Sequence, residues 1–398
     1  MLLTNAYEPD PRVRQEALAL IRMGYRVKVL AWDRDEKAPE FESMEGVEVE
    51  RVFLRSRHGR GTTQLLFYAW LYLRMFWRGW RTSFAVVHCH DLDTLPIGFL
   101  LGKLKRKPIV YDAHESFPDM LEGSVHRSVR GTLTKLENFL IRRVDLLITV
   151  GEKLRGFFDE RGARRSVVVG NWKKLEEFER TPEQNAAVRE RLGIPADAMV
   201  VVCITQLFVD RKLEELLEAI DGSPEVYLIA GGRGAMEAAI KTRAAANKRI
   251  RYVGFVAAPD IPGYTCAADV VFYGFDPANP NARFSAPNKL FEAVAAGRPL
   301  ITGDFGEIAD VVRKAGCGIV LESYSPQSIA AALQRMRDRE ARDGFSRNAL
   351  GCGRSGMNWR KGEEILEREY SALLGALPAR RFGREGGVGS AVRVPEGQ

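Results

Sequence analysis

SAPNKLFEAVAAGRPLI, residues 285–301, reads as a loop, a short helix and the start of a buried strand. Pro287 suits a helix start, Gly297 a helix stop, and the apolar run 299–302 a strand. The same alternation extends outward in both directions. In the second half it predicts strands at 199–205, 226–230, 250–253, 269–273, 299–302 and 318–321. In the first half it predicts them at 1–4, 26–32, 85–89, 108–112, 145–150 and 167–169. VVVCI (200–204) and LLITV (146–150) are apolar on both faces, as strands covered by helices on both sides must be. Strands alternating with helices predict parallel α/β units. Residues 1–4 are short for a core strand, which leaves room for an upstream start or a trimmed strand.

Composition agrees. The 398 residues are 45% hydrophobic and 28% charged, enough for two domains with full cores, and they exclude a mostly disordered chain, a collagen and a disulfide scaffold. The polar stretch 170–195 separates two sets of strands, so the domain boundary is expected near Gly170. The segment 378–398, rich in Gly, Arg and Val without periodicity, reads as a disordered tail. Net charge is +7, which suits phosphorylated substrates or an anionic membrane and does not by itself point to nucleic acid. Five scattered cysteines without a CxxC indicate neither zinc nor disulfides and fit a reducing, cytoplasmic compartment. No signal peptide is read at the N-terminus. Residues 62–81 interleave Phe67, Tyr68, Trp70, Tyr72, Phe76, Trp77 and Trp80 with Arg74, Arg78 and Arg81. That pattern fits either an interfacial element peripheral to an anionic membrane or a core helix with snorkelling arginines.

In open parallel sheets ligands collect beyond the carboxyl ends of the strands. The unusual residues lie there in both halves: residues 7–10, then His88, His90, Asp91 and Asp93, then His114 and Glu115 in the first. Asp210, Arg211, Lys212, Gly231, Gly232, Gly234 and the segment 275–289 follow in the second. A cleft between two facing domains is the natural site. Asp91 and Asp93 are read as helix-start residues rather than as a metal motif. Arg211 and Lys212, between a strand and a helix, form a candidate anion site, with a solvated charge run as the alternative. Gly232 permits close backbone approach. Ser285, Asn288 and Lys289 open a helix whose N–H groups suit a diphosphate, and Glu292 can accept two vicinal ribose hydroxyls. The alternative is a core helix with one solvated carboxylate.

On these residues the chain resembles the GT-B glycosyltransferases, specifically the retaining glycosyltransferase family 4 (group 1 type). The resemblance runs from residue 1 to about 370. It rests on EPDPRVRQEALALIRMGYRVKVL (8–30), VVHCHDLDTLPIG (86–98), PIVYDAHESFPDM (108–120), SAPNKLFEAVAAGRPLI and the strand order between them. It implies an α/β fold of two facing Rossmann-like domains with parallel sheets: an acceptor-side domain, 1–169, and a nucleotide-sugar domain, 170–358. A final helix at about 360–376 would cross back to the first domain. It implies hexosyl or acetylhexosaminyl transfer from a nucleotide-diphosphate sugar to a glycan or lipid-linked acceptor, as in cell-envelope polysaccharide assembly, with no metal or other cofactor. Glu292 matches the second motif glutamate, on the ribose. Arg211 or Lys212 matches the basic group on the diphosphate, His114 the histidine beside the reacting sugar, and 252–256, with Phe255 and Val256, the segment facing the base. The first motif glutamate is replaced by Phe284, and Thr205-Gln206-Leu207 stands where the family carries glycine. A sugar-nucleotide 2-epimerase of the same fold and a non-catalytic partner subunit are the alternatives.

Overall fold

The computed structural model describes residues 1–8, 10–55, 63–122 and 125–375; for 63–66 and Asn281 it describes the backbone alone. The tail expected at 378–398 lies outside the described residues. Each half builds one sheet. The first holds β1 (Lys28–Asp33), β2 (Phe41–Met44), β3 (Val47–Phe53), β4 (Val87–His90), β5 (Ile109–Ala113), β6 (Leu146–Thr149) and β7 (Ser166–Val168). Their order is β2-β3-β1 on one side and β4-β5-β6-β7 on the other. Leu2 joins the two sides, bridging Leu30 and Cys89 in parallel. Its N–H donates to His88 at 2.8 Å, and Leu3 donates to Leu30 at 3.0 Å. The short first run is thus the central rung of the sheet.

The second sheet holds β8 (Met199–Ile204), β9 (Val226–Gly231), β10 (Ile250–Tyr252), β11 (Val270–Tyr273), β12 (Leu300–Gly303) and β13 (Gly318–Leu321). Its order is β10-β9-β8-β11-β12-β13, all parallel. The chain reverses direction across the sheet between β8 and β11, where an open α/β sheet leaves a crevice. In the first sheet the reversal falls between residues 1–3 and β4. The two crevices face each other.

One strand pair departs from the sequence reading. β2 and β3 form an antiparallel hairpin on the edge of the first sheet. Its two-residue turn holds Glu45 and Gly46 at φ 51° and 87°, the left-handed pair that matches strand twist. Glu48, Glu50 and Arg51 hide this strand in the sequence. Arg51 is fully buried, and its guanidinium donates to the carbonyls of Ala6 (3.0 Å) and Pro39 (2.8 Å) and to Glu42.

The helix Trp359–Leu374 crosses back from the second half and packs on the helix Pro11–Arg22. Asn358 caps it, and Tyr370 is buried with its hydroxyl 2.7 Å from His88 Nδ1. The lobes also touch directly. The Phe157 and Phe284 rings lie 4.5 Å apart, and Glu307 accepts from the Lys153 N–H at 2.8 Å. No helix among the described residues is long and apolar enough to cross a membrane.

Candidate active site

A cleft of about 680 Å³ opens between the lobes, walled by the carboxyl ends of both sheets. The first lobe contributes His114, Glu115 and Val150, and the second contributes Arg211, Gly232, Phe255 and the start of the helix Asn288–Ala296.

Behind His114 lies a buried charge network. Asp112, at the end of β5, accepts two hydrogen bonds from Arg12, at 3.0 and 2.8 Å. It also takes His114 Nε2 at 3.1 Å and His90 Nδ1 at 3.2 Å. Asp91 takes the other ring nitrogen of His114 at 3.1 Å and its backbone N–H at 3.1 Å. Asp91 itself sits at φ 61°, a strained position for a residue other than glycine, held where β4 turns into the helix Asp91–Lys105. With a carboxylate on each nitrogen, the ring of His114 carries both protons. Burial opposes that charge, but Asp91 and Asp112 outweigh it and hold the imidazole well above its ordinary range. Burial likewise opposes ionisation of Asp112, and Arg12 and His114 reverse the balance and hold its carboxyl well below the carboxylate range.

This makes His114 a fixed cation rather than a base. The folded-state value exceeds the unfolded one, so the stabilisation is complete below about pH 6.5 and is lost only as pH rises through the higher value. Nitrogen-15 NMR at pH 8 should find the ring doubly protonated. A neutral ring at that pH contradicts the assignment.

Deeper in the lobe, Glu16, His88, His90 and Asp112 offer donor atoms within 4.8 Å of one another. A cation could use such a set, but Arg12 already bridges both carboxylates, at 3.1 Å from Glu16 and 2.8 Å from Asp112. Burial, and then the charge of Asp112, push Glu16 well above the carboxylate range, against the opposing pull of Arg12. Burial also drives His88 well below its ordinary range. Asp93, at the first turn of its helix, is pushed up to about 7 by burial and by Asp91, and it accepts from the Thr4 hydroxyl.

On the facing wall, Arg211 follows β8. Its guanidinium lies 3.3 Å from the Tyr273 hydroxyl and 4.2 Å from the centre of the Phe275 ring, and its Nε makes no hydrogen bond, with Asp210 Oδ1 3.9 Å away. Pro287 precedes the helix Asn288–Ala296, whose first residues, Asn288 and Lys289, line the cleft. Glu292, one turn in, is buried and paired with Lys289. Gly232 has φ 136°, and a Cβ there would fall 1.8 Å from the Thr205 carbonyl oxygen, so only glycine lets these two loops close the floor. Phe255, 59% exposed, lies under Arg233 at 4.5 Å, while Val256 is buried beside it. Asn171 spans the lobes, accepting from Arg12 at 3.4 Å and donating to Ala286 at 3.3 Å.

Residues 9–172 match the family model of the glycosyl transferase 4-like domain, and residues 198–339 match that of glycosyl transferases group 1. The chain belongs to the group 1 glycosyltransferases. An uncharacterized glycosyltransferase of Methanocaldococcus jannaschii is 23% identical over 80% of this chain and 82% of its own length. A D-inositol 3-phosphate glycosyltransferase of Geodermatophilus obscurus is 24% identical over 74% and 68%. Among solved structures, sucrose-phosphate synthase of Thermosynechococcus elongatus superposes with a TM-score of 0.76 at 17% identity, covering 94% of this chain and 99% of that one. Anabaena HepE in complex with UDP-glucose gives 0.68 at 18% identity, covering 94% and 99%. These likenesses establish the GT-B fold, two facing Rossmann-like domains.

Within this glycosyltransferase the cleft gathers most of the residues singled out from sequence: His114, Arg211, Gly232, Phe255, Val256, Ser285, Asn288, Lys289 and Glu292. Of the residues matched to a ligand or catalytic role, Lys212 falls outside the cleft, as do the strand-end residues His88, His90, Asp91, Asp93 and Asp210. Lys212 takes a left-handed backbone conformation, φ 54°, and its ammonium pairs with Asp276 at 2.8 Å instead of lining the cleft. Arg78, expected on an outward basic face, turns inward to Glu40 and Glu50 at 2.6 and 3.3 Å. Sequence reasoning missed Arg12, Asp112 and Asn171. A carboxylate ending a buried strand directly before an Ala-His-Glu triplet was the available signal for Asp112.

Proposed function

We propose that the protein transfers a hexose or N-acetylhexosamine, with retention, from a nucleotide-diphosphate sugar to a glycan or lipid-linked acceptor. The observation that carries this reading is the convergence of two cationic features on the second-lobe wall of one cleft: the guanidinium of Arg211 and the N-terminus of the helix Asn288–Ala296. A diphosphate between them gains hydrogen bonds and charge neutralisation as its own charge grows in the transition state. In this reading Glu292 takes the ribose and the Phe255–Val256 wall the base, all three lining the same cleft. HepE, with the same fold, has been solved with UDP-glucose.

His114, locked with both protons, cannot take a proton from the acceptor. In this reading the base is the leaving phosphate, whose negative charge grows as its bond to the sugar breaks. The acceptor oxygen bonds to the anomeric carbon on the face from which the phosphate oxygen departs, and its proton passes to that oxygen. The protonated His114 stabilises negative charge on this side of the cleft. No metal is needed for these steps.

A screen of UDP-, GDP- and ADP-sugars by thermal shift, followed by turnover with and without acceptor, tests the reading. Acceptor-dependent release of nucleoside diphosphate is the expected outcome. Acceptor-free epimerisation, or binding without turnover, contradicts it.

The acceptor is proposed to be reached at an anionic membrane surface. Leu71 and Met75 of the helix Thr63–Arg81 are core, while Trp70, Leu73, Trp77 and Trp80 are exposed. Leu100 and Leu104 of the packed neighbour helix extend this apolar surface. Arg74 lies over Trp70 and Lys105 over Trp80, each at 5.3 Å, the mixture that suits a headgroup layer. Replacing Trp77 and Trp80 together with alanine should weaken sedimentation with phosphatidylglycerol vesicles by at least about tenfold. Unchanged sedimentation contradicts the membrane contact.

A further inference from the structure

A sugar is read by acceptors and donors placed against its hydroxyls, and an ionised carboxylate is the strongest acceptor a side chain offers. Two acidic side chains line the cleft among the described residues, Glu115 and Glu292. Glu292 is held by Lys289, on the second lobe. Position 284 contributes no polar group: Phe284 is buried, with its ring against Phe157 of the other lobe. The second lobe therefore presents cations and an apolar wall next to Ser285, and no second carboxylate.

Glu115 faces that wall from the first lobe. It follows His114 in the loop after β5 and is half-buried. Its neighbour cannot engage it, because both ring nitrogens of His114 are committed to Asp91 and Asp112. No hydrogen bond or ion pair within the described residues engages the Glu115 carboxylate. Burial, and then the charge of Asp91, raise its pKa, as expected for a carboxyl kept from water without a partner. Such a group repels a diphosphate, and its cost is offset when hydroxyl groups donate to it.

We propose that Glu115 is the residue that recognises the donor sugar, accepting hydrogen bonds from hydroxyls of the transferred ring, so that the sugar is read by the first lobe and its nucleotide by the second. This rests on the nucleotide-sugar reading above. Under it, donor specificity lies in the loop after β5 rather than in the loop before the helix Asn288–Ala296, and holding the sugar requires both lobes to be in place.

The test compares binding of a nucleoside diphosphate with binding of its sugar conjugate. Calorimetric titrations use UDP against UDP-glucose and GDP against GDP-mannose, on the full chain and on Glu115→Ala and Glu115→Gln. Glu115→Ala is expected to lose about tenfold or more in affinity for the sugar nucleotide that the wild type prefers. Its affinity for the matching diphosphate should stay within about twofold or tighten, since a negative charge has left the cleft. Glu115→Gln keeps one acceptor oxygen and should fall between the two. Equal losses for diphosphate and conjugate, or no loss for either, overturn the assignment while leaving the nucleotide site intact. Failure of the wild type to bind any of these four ligands, and also ADP and ADP-glucose, overturns the nucleotide-sugar reading and this inference with it.

Discussion

Replacing Asp112 with alanine will cost the fold about 3–5 kcal/mol, the range for breaking a buried ion pair. The loss follows from what remains. The Arg12 side chain is 10% exposed, and two of its hydrogen bonds, 3.0 and 2.8 Å, go to Asp112, with a third, 2.8 Å, to the Val169 carbonyl. His114 loses one of its two carboxylates and His90 its only close one. Glu16 responds. Burial and then the charge of Asp112 raise its pKa, so removing Asp112 lowers it and favours an ionised Glu16 beside Arg12 at 3.1 Å. Glu16→Gln introduced into the Asp112→Ala background should therefore destabilise more than Glu16→Gln does alone. Denaturant unfolding measures both effects. A loss under about 1 kcal/mol for Asp112→Ala would mean that Arg12 finds another partner and that the network does not hold His114 in place.

Arg211→Ala should slow sugar transfer by about a hundredfold or more, the usual consequence of removing one preorganised donor from developing negative charge. The effect belongs mainly in kcat, because charge on the leaving phosphate grows as the glycosidic bond breaks. Lys212→Ala is the matched comparison. Its ammonium sits 2.8 Å from Asp276, a partly exposed pair worth about 0–1 kcal/mol, so turnover should change by less than about fivefold. Equal losses in the two variants would return Lys212 to the cleft and contradict the geometry.

Sequence treats these two adjacent cations as interchangeable. What separates them is Asp276, in the loop after β11, which captures one of them. A rotamer chosen by a partner 64 positions away leaves no local pattern. Arg12 is a similar case. Within its own helix it reads as an ordinary polar position, and its partner Asp112 lies 100 residues on. The helix ends, the buried strands and the cleft itself were legible, because they follow from local periodicity, from caps such as Asp10-Pro11 and from the rule that ligands gather at strand ends. The hairpin of β2 and β3 was not. Its charged residues resemble a solvated loop until Arg51 is seen donating to backbone carbonyls across the sheet edge. The aromatic helix Thr63–Arg81 places Leu71 and Met75 in the core, as its reading as a core helix expects, and leaves Trp70 and Trp77 exposed.

The account depends on where a pyrophosphate lies. Crystals soaked with whichever of UDP, GDP or ADP most raises the melting temperature would reveal it directly. The prediction is density for two phosphates within hydrogen-bonding reach of the Arg211 guanidinium and the backbone N–H groups of Asn288 and Lys289, with the ribose on Glu292. A nucleotide bound outside the cleft, or one whose phosphates point away from both Arg211 and that helix end, would contradict it.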